Sequence, residues 1–275
     1  MVSTPVVFGI QTMLNDMIDI SRIEAIKYTH QISKILLHRC PDQENAKLFI
    51  RQQAKGLTPR ERWEHNVSEI QTPGWLGLSP RPILWIGGRQ NKKGISWVSA
   101  FSLDFIEAVQ VECGPSIAYV LCNSGPNSEP PTPLQIFSEA IMQILQVHTG
   151  ILTIPQNISK LSLPRFEDIR DSPEIAFKLL ADIFSIVNER CRRENTETFL
   201  LIDRIDIPLS AESTPGKRFL RALQQLVEEY ETLRIILTSQ CPTQEINTLL
   251  DRKDQITEIW VDTTKPLAMC SGSWG

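Results

Sequence analysis

The sequence predicts an α/β protein: a parallel five-stranded sheet flanked by helices, preceded by an N-terminal helical segment. Three observations predict it. Apolar runs at Ile83–Ile86, Ile117–Cys122, Phe199–Ile202, Leu233–Leu237 and Ile256–Val261 are four to six residues long and rich in β-branched and aromatic types, as strands buried on both faces are. Helical patterns over Trp97–Val111, Pro133–Val147, Pro173–Arg193 and Gly216–Glu231 separate them, and this alternation is how parallel sheets are wound. A chain of 275 residues with 41% hydrophobic content can fill one such core and a smaller helical unit.

Composition narrows the function classes. A net charge of −4 gives no electrostatic footprint for phosphate backbones, which argues against a nucleic-acid partner. No apolar run reaches the length of about 18 residues that a membrane span needs, and no basic stretch precedes the apolar residues of the N-terminus, so the chain reads as cytoplasmic with no membrane partner. The six cysteines are scattered, without a C-x-x-C pair or a zinc spacing, and read as small buried hydrophobes in a reducing compartment.

Taken in order, residues 1–60 read as a helical segment. Ile23, Ile26, His30 and Ser33 lie along one side of the first helix, while Ala25, Tyr28, Ile32, Ile35 and Leu36 form a stripe wide enough to bury. A break at Cys40-Pro41 comes next, with Pro41 suited to the first turn of a second helix that carries Ala46, Phe49 and Ile50 and stops near Gly56. The segment reads equally as an assembly module or as packing for the α/β domain. Residues 61–82 are turn-rich, with Trp63 and Trp75 as large anchors, and read as a linker.

Residues 83–264 form the α/β domain. Its clearest helix, Pro173–Arg193, repeats Ala176, Leu179, Leu180, Ile183 and Val187 at helical spacing, with Ser172 placed as cap and Arg190, Arg192 and Arg193 at the negative end of the dipole. The polar loop of residues 123–133 and the connector of residues 149–171 are long enough to imply structure or function of their own. Residues 265–275 show no periodicity and read as a disordered tail.

The chemistry-bearing stretch lies directly after the first strand. A phosphate-binding loop has the form G-x-x-x-x-G-K-[ST], because glycine amides approach the phosphates, lysine reaches their charge and the hydroxyl holds magnesium. Gly87-Gly88-Arg-Gln-Asn-Lys92-Lys93-Gly94-Ile-Ser96 fits in two registers and completes neither. From Gly87, Lys92 replaces the second glycine, Lys93 is the phosphate lysine and Gly94 stands where the hydroxyl belongs; from Gly88, Ser96 arrives one residue late. The other reading is a strand-to-helix turn with solvated lysines.

Two more strand ends complete the set. Phe199-Leu-Leu-Ile-Asp203 is an apolar strand ending in a carboxylate, as a Walker B strand does to orient magnesium, and Asp206 stands three residues later as a candidate base or water-orienting group. Thr238 and Ser239 end the fourth strand, where hydroxyls can bond a phosphate. Each also reads as an ordinary turn.

In order and spacing, Leu84-Trp-Ile-Gly-Gly, the helix from Trp97, Ala118-Tyr-Val-Leu, Phe199-Leu-Leu-Ile-Asp203-Arg-Ile-Asp206 and Ile235-Ile-Leu-Thr-Ser-Gln resemble the NACHT-type P-loop NTPase domain of fungal NOD-like (STAND) proteins, over about residues 70–262. The resemblance implies ATP or GTP bound with magnesium and nucleotide-controlled self-association. Gly87, Gly88, Lys92, Lys93, Gly94, Ser96, Thr238 and Ser239 would then face the nucleotide, Asp203 and Ser96 the metal, and Asp206 the catalytic water. The departures are a broken glycine-lysine-hydroxyl signature, Ile207 in place of an acid after Asp206, and Gln240 in place of an arginine. The resulting expectation is a degenerate NACHT-like domain acting through protein partners, with nucleotide binding weak or lost. The alternative is a divergent but active magnesium-dependent NTPase switch.

Overall fold

A computed structural model describes residues 21–37, 40–58, 81–89, 95–112, 117–123, 125, 129–169, 172–210, 213–240 and 255–261. Residues 1–20, the linker with Trp63 and Trp75, Lys92, Lys93, Gly94 and the tail lie outside the described residues.

Five strands, β1 (Ile83–Gly88), β2 (Ile117–Leu121), β3 (Thr198–Asp203), β4 (Leu233–Ser239) and β5 (Ile256–Val261), form one sheet in the order β2-β3-β4-β1-β5. Every pairing is parallel, so the expected fold class holds. All five predicted apolar runs are strands, and β1, β2 and β3 are buried at every position because helices cover both faces.

Alternation along each strand sorts the side chains into two cores. On one face, Ile83, Trp85, Val120, Ile202 and Leu237 meet α1 (residues 21–36), α4 (Pro133–Val147), α7 (Pro173–Glu194) and α9 (Ser213–Glu229). On the other, Leu84, Ile86, Leu121, Leu201 and Ile236 meet α2 (Gln43–Ala54) and α3 (Trp97–Glu112). The two N-terminal helices thus contribute to opposite cores of the sheet. In α1, Ala25, Ile32 and Leu36 are buried while Ile23 and Ile26 are exposed, as the stripe implies.

The helix boundaries obey local chemistry. The start of α2 departs from expectation: Asp42 is the N-cap, its side chain accepting from Asn45 N–H, and Pro41 precedes the cap instead of entering the first turn. A carboxylate there satisfies a free amide and faces the positive end of the dipole, which proline cannot do. α4 opens on a reciprocal Thr132–Gln135 capping box with Pro133 in its first turn, and α7 opens on Ser172 and closes on Asn195 in the left-handed region at φ 51°. The long connector is structured, with a 3₁₀ turn (Thr149–Thr153), α5 (Pro155–Lys160) and α6 (Leu163–Asp168), and α8 (Asp206–Ser210) comes after β3.

β1 and β4 are neighbours that send the chain to opposite sides of the sheet, β1 toward β2 and β4 toward β5. Ligand crevices of open α/β sheets form outside the carboxyl ends of strands at such a switch point. Among the described residues no helix is long and apolar enough to cross a membrane.

Candidate functional site at the carboxyl edge of β1, β4 and β3

The strand order brings three separate sequence elements to one edge. Gly87 pairs with Ser239 across β1 and β4, and Ile202 pairs with Leu237 across β3 and β4, so the glycines, Thr238-Ser239 and Asp203 end on adjacent strands.

Asp203 is fully buried and turned toward α3. Its Oδ2 accepts from Ser99 Oγ at 2.9 Å, and its Oδ1 accepts from Ser102 Oγ at 2.8 Å and Thr238 Oγ1 at 2.6 Å. Burial pushes its carboxyl above the ordinary range, against the opposing pull of the Thr238 and Ser102 hydrogen bonds, the Arg204 charge and the Ser99 hydrogen bond. The same enclosure, reinforced by the charges of Asp203 and Asp206, raises the buried Cys122 thiol well above its usual value.

The turn after β3 is fastened to β4. Arg204 is a non-glycine residue at φ 55°, a left-handed conformation that costs about 1–2 kcal/mol. In that conformation its N–H donates to Thr238 Oγ1 at 2.9 Å, and the next amide, Ile205 N–H, donates to the Thr238 carbonyl at 2.8 Å. The guanidinium then folds over Asp206, with Nε at 3.0 Å from Oδ1 and Nη2 at 2.8 Å from Oδ2. Asp206 also accepts from Gln240 N–H at 3.3 Å. Side-chain exposures of 11% and 8% keep this pair out of bulk water, where a bidentate geometry counts.

The remaining predicted residues divide. Ser239 is buried on the opposite face of the sheet, where its Oγ accepts from Trp85 Nε1 at 2.9 Å, and Thr238 is committed to Asp203 and Arg204, so neither hydroxyl is presented at the edge. Gly87 and Gly88 end β1, and at Gly88 an added Cβ would lie 2.2 Å from Trp97 Nε1. That close approach of an indole is what requires glycine there. Ser96 is 4% exposed, and its Oγ has no hydrogen-bond partner among the described residues; the same holds for Trp97 Nε1.

These residues fit a magnesium ion poorly. Both Asp203 oxygens already receive hydroxyl protons inside a closed shell, Asp206 is held by Arg204, and among the described site residues Ser96 keeps an unused oxygen. Among the described residues no group of three or more His, Cys, Asp or Glu side chains could hold a metal.

Ser99 and Ser102 are the participants that motif matching passes over. Ser96, just before α3, and Ser99 and Ser102 among the apolar residues of its first two turns recur every third residue, Ser99 and Ser102 meeting Asp203 of the sheet, and that spacing is the signal for them. Comparison with protein-family models, with curated proteins and with solved structures finds no match to this chain.

Proposed function

We propose that this chain is a degenerate P-loop domain of the NACHT/STAND kind that acts in the cytoplasm through protein contacts or self-association, with nucleotide binding weak or lost. The observation that carries the reading is the closure of Asp203 by three hydroxyls within the protein. A carboxylate that orients magnesium-bound water must offer lone pairs to the crevice; this one is turned inward and dry. The Arg204–Asp206 pair supports the same conclusion, because a base held bidentately by a guanidinium is not poised to take a proton. Contact with proteins is supported by the exposed Ile23, Ile26 and Leu37 of the N-terminal segment.

Titration calorimetry with ATP or GTP and magnesium tests it. The expected result is no binding tighter than about millimolar, near −4 kcal/mol. Micromolar binding that disappears on Lys93→Ala overturns the reading.

The buried, unpartnered Ser96 Oγ at the start of α3 favours a second reading, a divergent NTPase using Lys93, Ser96, Asp203 and Asp206. Its test is phosphate release, and a rate no higher than that of the Lys93→Ala variant rules it out.

A further inference from the structure

The outer edge of β2 is covered by side chains. Gln143 of α4 stands in for a neighbouring strand: its Oε1 accepts from Tyr119 N–H at 2.8 Å and its Nε2 donates to Tyr119 C=O at 2.9 Å. Gln43, the first residue of α2, accepts from Leu121 N–H at 2.8 Å. One helical turn before Gln143, Glu139 is 2% exposed, and its Oε1 accepts from the same Gln143 Nε2. Cys40, at the junction of α1 and α2, also hydrogen-bonds to Glu139, yet Glu139 Oε2 is buried with no partner. Gln43 Nε2 is buried and unpartnered as well. Lys47 of α2 places its ammonium 4.9 Å from the centroid of the Tyr119 ring while pairing with Glu44 at 2.7 Å. A single carboxyl therefore sits where the α1–α2 junction, α2, α4 and an open sheet edge meet.

We propose that Glu139 is a proton-operated latch: protonated, it holds the α1–α2 junction and Gln43 closed over the edge of β2, and ionised, it releases them and bares the amide of Leu121. A neutral carboxyl stays dry at modest cost with one oxygen unbonded. A carboxylate in the same place needs donors at both oxygens, and Gln143 and Cys40 leave Oε2 with none. Burial raises the Glu139 carboxyl above the ordinary range, outweighing the Gln143 and Cys40 hydrogen bonds and the Lys47 charge. With the closed-state value raised, closure is complete at low pH and is lost as pH rises through that value. Among the described residues, the titratable and charged groups that act on Glu139 are Cys40 and Lys47, the latter paired with Glu44.

The test is hydrogen exchange of the Leu121 amide in the full chain from about pH 5 to about pH 8, corrected for intrinsic rate, with the Ile235 and Leu237 amides of central β4 as reference. The expected result is a fall in protection of about tenfold or more at Leu121 and none at β4. In Glu139→Gln the protection at β2 no longer changes with pH. In Lys47→Met the midpoint moves to higher pH, because the cation that favours the carboxylate is gone. A flat profile in the unmodified chain, an equal fall at β4, the same fall in Glu139→Gln or an unmoved midpoint in Lys47→Met each overturns the latch.

Discussion

Replacing Asp203 with alanine separates a structural carboxyl from a metal-orienting one. In the folded protein it accepts from Ser99 at 2.9 Å, Ser102 at 2.8 Å and Thr238 at 2.6 Å, and the substitution removes all three bonds. Ser102 retains the Val98 carbonyl at 3.0 Å, whereas among the described residues Ser99 and Thr238 each lose the acceptor for the hydroxyl proton, Thr238 keeping only the bond it accepts from Arg204 N–H. A stranded buried donor costs about 1–3 kcal/mol and each net hydrogen bond lost about 1 kcal/mol. Relief of a desolvated carboxyl offsets part of this, and the net expectation is about 3 kcal/mol of destabilisation. Asp203→Asn keeps an acceptor for Ser102 and Thr238 and offers Ser99 an amide, so about 1 kcal/mol is expected. Urea unfolding measures both, the midpoint reporting stability provided the slope is unchanged. The structural role is refuted if Asp203→Ala stays within about 0.5 kcal/mol of the unmodified chain while affinity for magnesium nucleotide collapses.

Three further substitutions or conditions test other parts of the fold. Gly88→Ala places a Cβ 2.2–2.5 Å from the Trp97 ring, so a loss of about 1–3 kcal/mol is expected, with partial recovery in Gly88→Ala/Trp97→Leu measured by the same unfolding curves. His148, 7% exposed, has its imidazole pushed down to about 4 by burial and then by the Arg190 charge, outweighing Glu194. Because the folded value lies below the unfolded one, its contribution is present above about pH 6.5 and is lost as pH falls toward about 4, by roughly 3 kcal/mol. Melting temperature against pH should show this slope and His148→Gln should flatten it; identical slopes count against it. Gln143→Leu strips the Tyr119 N–H and C=O of their partners at the β2 edge, and about 2 kcal/mol of destabilisation with concentration-dependent association is expected in unfolding and light-scattering measurements.

The scaffold is legible in the sequence because strand and helix periods dominate wherever burial is high. All five apolar runs are strands, and Pro133–Val147 is a helix with the predicted ends, since Thr132, Pro133 and Gln135 spell its start. α9 begins at Ser213, three residues before the expected Gly216, because Gly216 sits within its first turn. Pro41 stands before the cap of α2 and not inside the helix, since Asp42 competes for the capping position. The site is legible only as a set of residues. Register against a neighbouring strand decides which face a hydroxyl occupies: Thr238 faces Asp203 and Ser239 faces Trp85, a division set by β4 pairing and by the indole of a residue 154 positions away. The left-handed Arg204 has no local signature, because Asp203 and Asp206 predict a turn without saying which residue takes the strain.

A carboxylate at the end of β3 needs donors whether or not a metal is present, and here α3 supplies them from within. Asp206 needs a counter-charge, and Arg204 supplies it by accepting an unfavourable backbone conformation. Both acids at the described part of this edge are thus answered internally. A ligand entering there would have to displace hydroxyls from Asp203 or the guanidinium from Asp206, each charge-assisted bond worth about 1.5–3 kcal/mol, before gaining anything in return. A titratable group with unmet hydrogen-bonding capacity lies instead near the β2 edge, in Glu139, and the Gln43 amide that caps Leu121 N–H also keeps an unpartnered Nε2 among the described residues. A change of state in this protein is therefore cheaper at the contact between its N-terminal helices and β2 than at the edge its motifs point to.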